Sequence, residues 1–190
     1  MILIMYVADT SFSGCAKDYS YEGGPAVDTL TDTLFVHDST VVSDTRFPYC
    51  EGCHFTNDTI SLFWKFTFDT SLLCGNISNA VITPGREGFT FFGPSSCSVD
   101  TGLVMTVFLD TANALNKDQY NITTNNVSLQ YYDNTTQSDI FISTRPSILF
   151  TIDSYNHSTG MAIGTFSGKV KTKDSIQKMI MAGKFTIQFR

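Results

Sequence analysis

The sequence predicts an all-β protein: a single sandwich of antiparallel strands, immunoglobulin-like or jelly-roll-like, carried behind a signal segment and a flexible tether. Three observations predict it. Short apolar segments with two-residue alternation recur over residues 46–190, each closed by Gly, Pro or Asn turn signals. Phe (16) and Tyr (8) are abundant, and both suit a pleated, half-buried surface. Hydrophobic residues make up 42% of the chain and charged ones 16%, a composition that is neither disordered nor membrane-spanning.

In chain order, Met1 to Ala8 is an apolar run too short to span a bilayer, which needs about 20 residues, but long enough for the core of an export signal. It leads to Phe12-Ser13-Gly14-Cys15, a cysteine behind two small residues, the pattern cut before a lipidated cysteine. No Lys or Arg precedes the run, and Asp9-Thr10-Ser11 makes the approach polar, both departures from the usual export signal. Residues 1–14 therefore read as a lipoprotein signal segment and Cys15 as the lipidation site. The alternative is a buried first strand with an ordinary thiol. Residues 15–45, broken by Gly23-Gly24-Pro25, read as the lipidated tether, and residues 46–190 as the sandwich.

Within the sandwich, Leu62, Trp64, Phe66 and Phe68 alternate onto one face of a core strand. Ala80 to Ile82 and Gly88 to Phe92 are strands ending at Pro84-Gly85 and Gly93-Pro94, and Leu103 to Leu109 is apolar enough for a strand buried on both faces. Thr111 to Lys117 is the one segment that reads as a short helix, and Asn121 to Asn126 as turn and edge. Strands resume at Val127 to Tyr132, Ile140 to Ile142 and Ser147 to Asp153. The remainder reads as a three-strand meander with turns at Lys173-Asp174 and Ala182-Gly183. Lys169, Lys171 and Lys173 alternate and should point together into water.

After Cys15, Ala16-Lys17-Asp18-Tyr19-Ser20-Tyr21-Glu22-Gly23-Gly24 resembles the start of many mature lipoproteins of the Bacteroidota. Gly164-Thr165-Phe166-Ser167-Gly168 and the closing Gly183-Lys184-Phe185 resemble the C-terminal strands of small envelope proteins of unknown function from that group. Leu73-Cys74-Gly75 and Phe89 to Cys97 look like further motifs of the same lipoproteins. The resemblance implies an outer-membrane lipid anchor, on the periplasmic face or the cell surface, with Lys17-Asp18 a partial surface-transport signal. It brings no catalytic residues.

Four cysteines follow Cys15: Cys50 and Cys53 as a C-x-x-C, then Cys74 and Cys97. In an oxidising compartment they are disulfide candidates, with three pairings open. One alternative is a zinc site of Cys50, Cys53, Cys74 and Cys97, although such sites usually show two C-x-x-C pairs. Another is haem on Cys50, Cys53 and His54, since Cys50-Glu51-Gly52-Cys53-His54 fits the C-x-x-C-H attachment pattern.

Other motifs fail. Gly164 to Val170 lacks a phosphate loop's first glycine, because Ile163 stands there, and Val170 replaces the magnesium-binding Ser/Thr. His37, His54 and His157 are scattered among polar residues, as surface histidines are. Sequons at Asn57, Asn76, Asn121, Asn126, Asn134 and Asn156 fit the Asn, Ser and Thr richness of turns.

The sequence thus points to an envelope lipoprotein that is a non-catalytic structural or ligand-binding module without a cofactor. Its partners would be the membrane, through the anchor, and a glycan or protein ligand, with Phe92, Tyr131, Tyr132 and Tyr155 as stacking candidates. A net charge of -6 argues against nucleic acid. The alternative function is a periplasmic redox or electron-transfer protein using Cys50, Cys53 and His54.

Overall fold

The computed structural model describes Cys50, Cys53 and residues 62–189, and the signal segment, the tether, Cys15, His37 and His54 lie outside the described residues. The described chain is all-β. Its strands are β1 (Phe63–Phe68), β2 (Ser71–Asn76), β3 (Asn79–Ile82), β4 (Gly88–Pro94), β5 (Thr101–Phe108), β6 (Gln119–Thr124), β7 (Val127–Asp133), β8 (Ser138–Ser143), β9 (Ile148–Asn156), β10 (Met161–Thr172) and β11 (Gln177–Gln188).

All pairings are antiparallel, and the strands form one hydrogen-bonded sheet that curls on itself. One layer runs β2-β1-β11-β10-β9-β6 and the other β8-β7-β5-β4-β3. Strand β10 joins them: Met161 to Gly168 pairs with β9, whereas Lys171 and Thr172 pair with β8. The change of partner falls at Gly168, whose φ of +153° suits glycine and where a Cβ would strike the Ser147 carbonyl.

Aromatic contacts, edge-on and stacked, fill the space between the layers. Phe66 of β1 meets Tyr131 of β7 and Phe141 of β8 at ring-centroid distances of 6.2 and 6.1 Å, and Phe91 of β4 meets Phe185 of β11 at 5.8 Å. Trp64, Phe66 and Phe68 are buried together, as their alternation predicts. Ile148, Phe150 and Ile152 do the same on β9.

Three expectations are corrected. Strand β5 buries Leu103, Met105 and Val107 fully but leaves Val104, Thr106 and Phe108 half-buried, so it alternates rather than being enclosed on both faces. The expected helix is a single 3-10 turn over Thr111–Asn113. The expected turn at Ala182-Gly183 is a bulge inside β11. Against both neighbours three steps of β11 match two, from Lys184 to Met181 opposite Lys65 and Thr67, and from Gly183 to Ile180 opposite Phe166 and Gly168. Ala182 takes a φ of +51° there. The chain therefore ends in one long hairpin rather than a meander.

Candidate four-cysteine site

Beta-strand alternation gives the β1–β2 ladder two unlike faces. Leu73 lies opposite Phe66 on the inner face, and Cys74 lies opposite Lys65 on the outer one. Cys74 thus points away from the aromatic interior. It anchors a separate small cluster with Cys50 and Cys53, packed against Leu72 and Cys97.

Backbone geometry brings Cys97 to the same place. A bridge between Gly75 and Ser95 joins β2 to the segment after β4 and helps close the sheet. A side chain at position 75 would run into the Pro94 carbonyl and the Trp64 indole, so only glycine permits this approach. The Ser96 N–H donates to the Cys74 carbonyl at 2.9 Å, the Ser95 hydroxyl donates to the same carbonyl at 3.3 Å, and the Cys97 N–H donates to Ser95 Oγ at 3.1 Å. Cys50 and Cys53 belong to the same cluster and are held together by the Cys53 N–H, which donates to the Cys50 carbonyl at 3.1 Å.

Of the three pairings the sequence leaves open, the structure shows Cys50 with Cys97 and Cys53 with Cys74, with Cα separations of 5.3 and 5.5 Å. Cys50 and Cys53 are not joined to each other, as a C-x-x-C redox couple would be. Their sulfurs, which haem attachment would also need, are engaged with Cys97 and Cys74. The two pairs touch: Cys53 Sγ lies 3.3 Å from Cys97 Sγ, and all four sulfurs fall within 4.8 Å of one another.

The stacking candidates separate. Tyr131 and Tyr155 are each 1% exposed and belong to the core, Tyr132 is half-buried, and Phe92 is 38% exposed on β4. Burial raises the Tyr131 phenol above its ordinary pKa, against the lowering effect of hydrogen bonds from Ser95 and Thr101. His157 is exposed, as expected, yet it belongs to a network the sequence did not announce. Its Nδ1 lies 3.3 Å from the Tyr155 hydroxyl and 3.2 Å from the Leu115 carbonyl, while Arg86 donates to both of those groups at 2.6 Å.

A second feature is an open cleft of about 630 Å³, lined by Asp110, Thr123, Asn125, Asn126, Arg145 and Leu149 among others. The Arg145 guanidinium carbon sits 4.1 Å from the Phe108 ring centroid. These residues lie in three loops and two strands far apart in sequence, and no spacing signal links them. Comparison of the chain with protein-family models, with curated proteins and with solved structures finds no match.

Proposed function

We propose that this chain is an exported envelope lipoprotein, tethered through acylated Cys15 to the outer membrane, whose β-sandwich is a non-catalytic structural or ligand-binding module. The observation that carries the reading is the meeting of all four cysteines beyond Cys15 as two pairs at bonding distance. Paired thiols of this kind persist in oxidising compartments and are rare in the cytosol, which agrees with an export signal ahead of them.

The position of the pairs suits a tethered protein. Cys50 and Cys53 bind the segment preceding β1 to β2 and to the turn after β4. A pull arriving from the membrane side therefore reaches the sheet through two sulfur bridges. It does not peel β1 from its neighbours, which only hydrogen bonds and packing would resist.

The polar cleft beside Arg145 supports the ligand-binding half of the reading. Amides, hydroxyls, one cation and one carboxylate around a partly apolar floor suit a glycan, and the net charge of -6 disfavours nucleic acid. The test is intact mass of the protein from native membranes together with fractionation of Cys15→Ser. The reading expects a diacyl or triacyl addition, two disulfides, and release of the variant into the soluble fraction. An unacylated, fully reduced chain in the cytosol would overturn it.

A further inference from the structure

A four-thiolate metal site is usually written in sequence as two C-x-x-C pairs, and this chain has one. The fold supplies the other by register. Cys74 and Cys97 come from segments joined by the Gly75–Ser95 bridge, and the Ser96 N–H bond to Cys74 holds them as neighbours without help from any sulfur. Cys50 and Cys53 are held together by the hydrogen bond from the Cys53 N–H to the Cys50 carbonyl. Two pairs of sulfurs, each positioned by backbone hydrogen bonds, converge on one point.

The distances agree with a single ion. Tetrahedral zinc with Zn–S near 2.3 Å sets its sulfurs about 3.8 Å apart. The widest separation in this cluster is at most 4.8 Å and has to close by about 1 Å at most, while the sulfurs of each bridge, freed by reduction, have to part by less than about 2 Å to reach the same tetrahedron. The 3.3 Å contact between Cys53 and Cys97 crosses from one disulfide to the other. The backbone that pairs Cys50 with Cys53 and Cys74 with Cys97 sets all four sulfurs side by side, which is the arrangement that four ligands of one ion need. Cys97 is half-buried, which leaves a route for an ion and a reductant.

We propose that these four cysteines are one site with two covalent states: two disulfides when oxidised, and a tetrathiolate centre for one Zn²⁺ when reduced. A dithiol reductant supplies two electrons and two protons to each disulfide and is itself oxidised to a disulfide, giving four thiols. Binding Zn²⁺ then releases four protons and leaves a centre of charge −2. The return path passes two electrons to each of two disulfide oxidant molecules, which take up four protons and leave as thiols, and it frees Zn²⁺. Lys65 stands directly across the ladder from Cys74 on the same face, with its ammonium 5.6 Å from the Phe63 ring centroid, so a turn of its flexible chain brings a cation toward that negative centre. This inference does not rest on the lipid anchor, and its failure would leave the acylation of Cys15 intact.

The test uses the full chain, reduced with a phosphine under exclusion of oxygen and titrated with Co²⁺ and then Zn²⁺. The expected result is one Co²⁺ per chain, with near-ultraviolet thiolate charge transfer and intense visible bands of tetrahedral cobalt, bleached stoichiometrically by Zn²⁺. Cys15→Ser should behave as the parent. Cys97→Ser and Cys50→Ser should each lose intensity and bind at least tenfold more weakly, and Lys65→Gln should weaken binding without altering the spectrum. Far-ultraviolet circular dichroism follows the fold throughout. A reduced chain that stays folded but gives only weak octahedral cobalt bands would overturn the proposal. So would cobalt bound equally well by both serine variants, or a reduced chain that unfolds and is not refolded by Zn²⁺.

Discussion

Two apolar clusters among the described residues lie on opposite faces of the same β1–β2 ladder and are held together by different means. On the inner face Trp64, Phe66 and Phe68 join an interior in which nearly every ring touches several others. That interior draws its cohesion from apolar area removed from water, and each contact is backed by its neighbours. On the outer face, among the described residues, Cys74 and Leu72 pack with Cys50, Cys53 and Cys97. The described part of this patch is small, and covalent bonds between its sulfurs add to its apolar contacts. The difference teaches that the sandwich is the autonomous part, and that the cysteines attach the segment before β1 to it.

The largest expected effect therefore belongs to the inner face. Phe66 is fully buried and contacts Trp64, Tyr131, Phe141 and Phe166. Truncation in Phe66→Ala should cost about 3–5 kcal/mol in urea unfolding with the disulfides intact, since the neighbouring rings can refill the cavity only partly. A loss below about 1 kcal/mol would show that the interior is not what holds the domain.

Next comes the outer face. Cys97→Ser opens a link spanning 47 positions and should cost about 2–4 kcal/mol on the loop-entropy account. The comparison is sharpened by where the loss appears. Amide exchange in β7, β9 and β10 should remain slow under native conditions, whereas residues near Cys50 and β2 should exchange faster. Uniform acceleration across all strands would mean the cysteines are part of the cooperative core after all.

How much of this was legible follows the same division. The alternation of Trp64, Phe66 and Phe68, and of Ile148, Phe150 and Ile152, marks strands and their inner faces directly, because a strand's side-chain period is fixed at two. The bulge at Ala182 was misread as a turn because the same signals, a small residue followed by glycine, serve both: each needs a positive φ. Strand β5 was misread because Val104 and Phe108 are apolar although their face is only half-covered. The cysteine site was legible as residues but not as a constellation. What puts Cys74 beside Cys97 is a ladder register, and the sequence carries no local mark of which strands will pair. The Arg86, Tyr155 and His157 network was invisible for the same reason, since its members meet only after β9 docks.

That network is a polar counterpart to both clusters, and its effect should be smaller. Tyr155→Phe keeps the buried ring but removes the hydroxyl that accepts from Arg86. Arg86 is half-buried and retains its bond to the Leu115 carbonyl, so the expected cost is about 1–2 kcal/mol, below that of a fully buried unpaired charge. A change within 0.5 kcal/mol of zero, about the scatter of surface substitutions, would place the network with surface contacts.

Tyr131 sharpens the picture of the inner face through pH. Its folded pKa is raised because burial disfavours the phenolate, so the folded state binds the phenolic proton more tightly than the unfolded chain does. The resulting stability is fully present below pH 10, the unfolded value, and is lost as pH rises through the higher folded value. Ultraviolet titration of the native protein should show a late ionisation, above pH 10, that belongs to Tyr131. Tyr131→Phe should remove that late transition and flatten the alkaline fall in stability. A tyrosine titration that finishes near pH 10 with the fold intact would mean that the interior is open to water at Tyr131.

The smallest effect belongs to the ion pair between Lys178 and Asp69, which join at 2.9 Å with side chains 38% and 59% exposed. It links β11 to the β1–β2 turn on the same ladder whose faces carry the two clusters, so position alone would make it a third fastening. Physical chemistry says otherwise. Both charges remain hydrated, the attraction is screened by salt, and ordering a lysine chain costs entropy. A double-mutant cycle with Lys178→Ala and Asp69→Ala should give a coupling of about 0–0.5 kcal/mol that fades at high ionic strength. A salt-independent coupling above about 1 kcal/mol would mean that this corner is drier and more rigid than its exposure implies. The contrast between a hydrophobic inner face and a sulfur-linked outer face would then need a third, electrostatic, fastening.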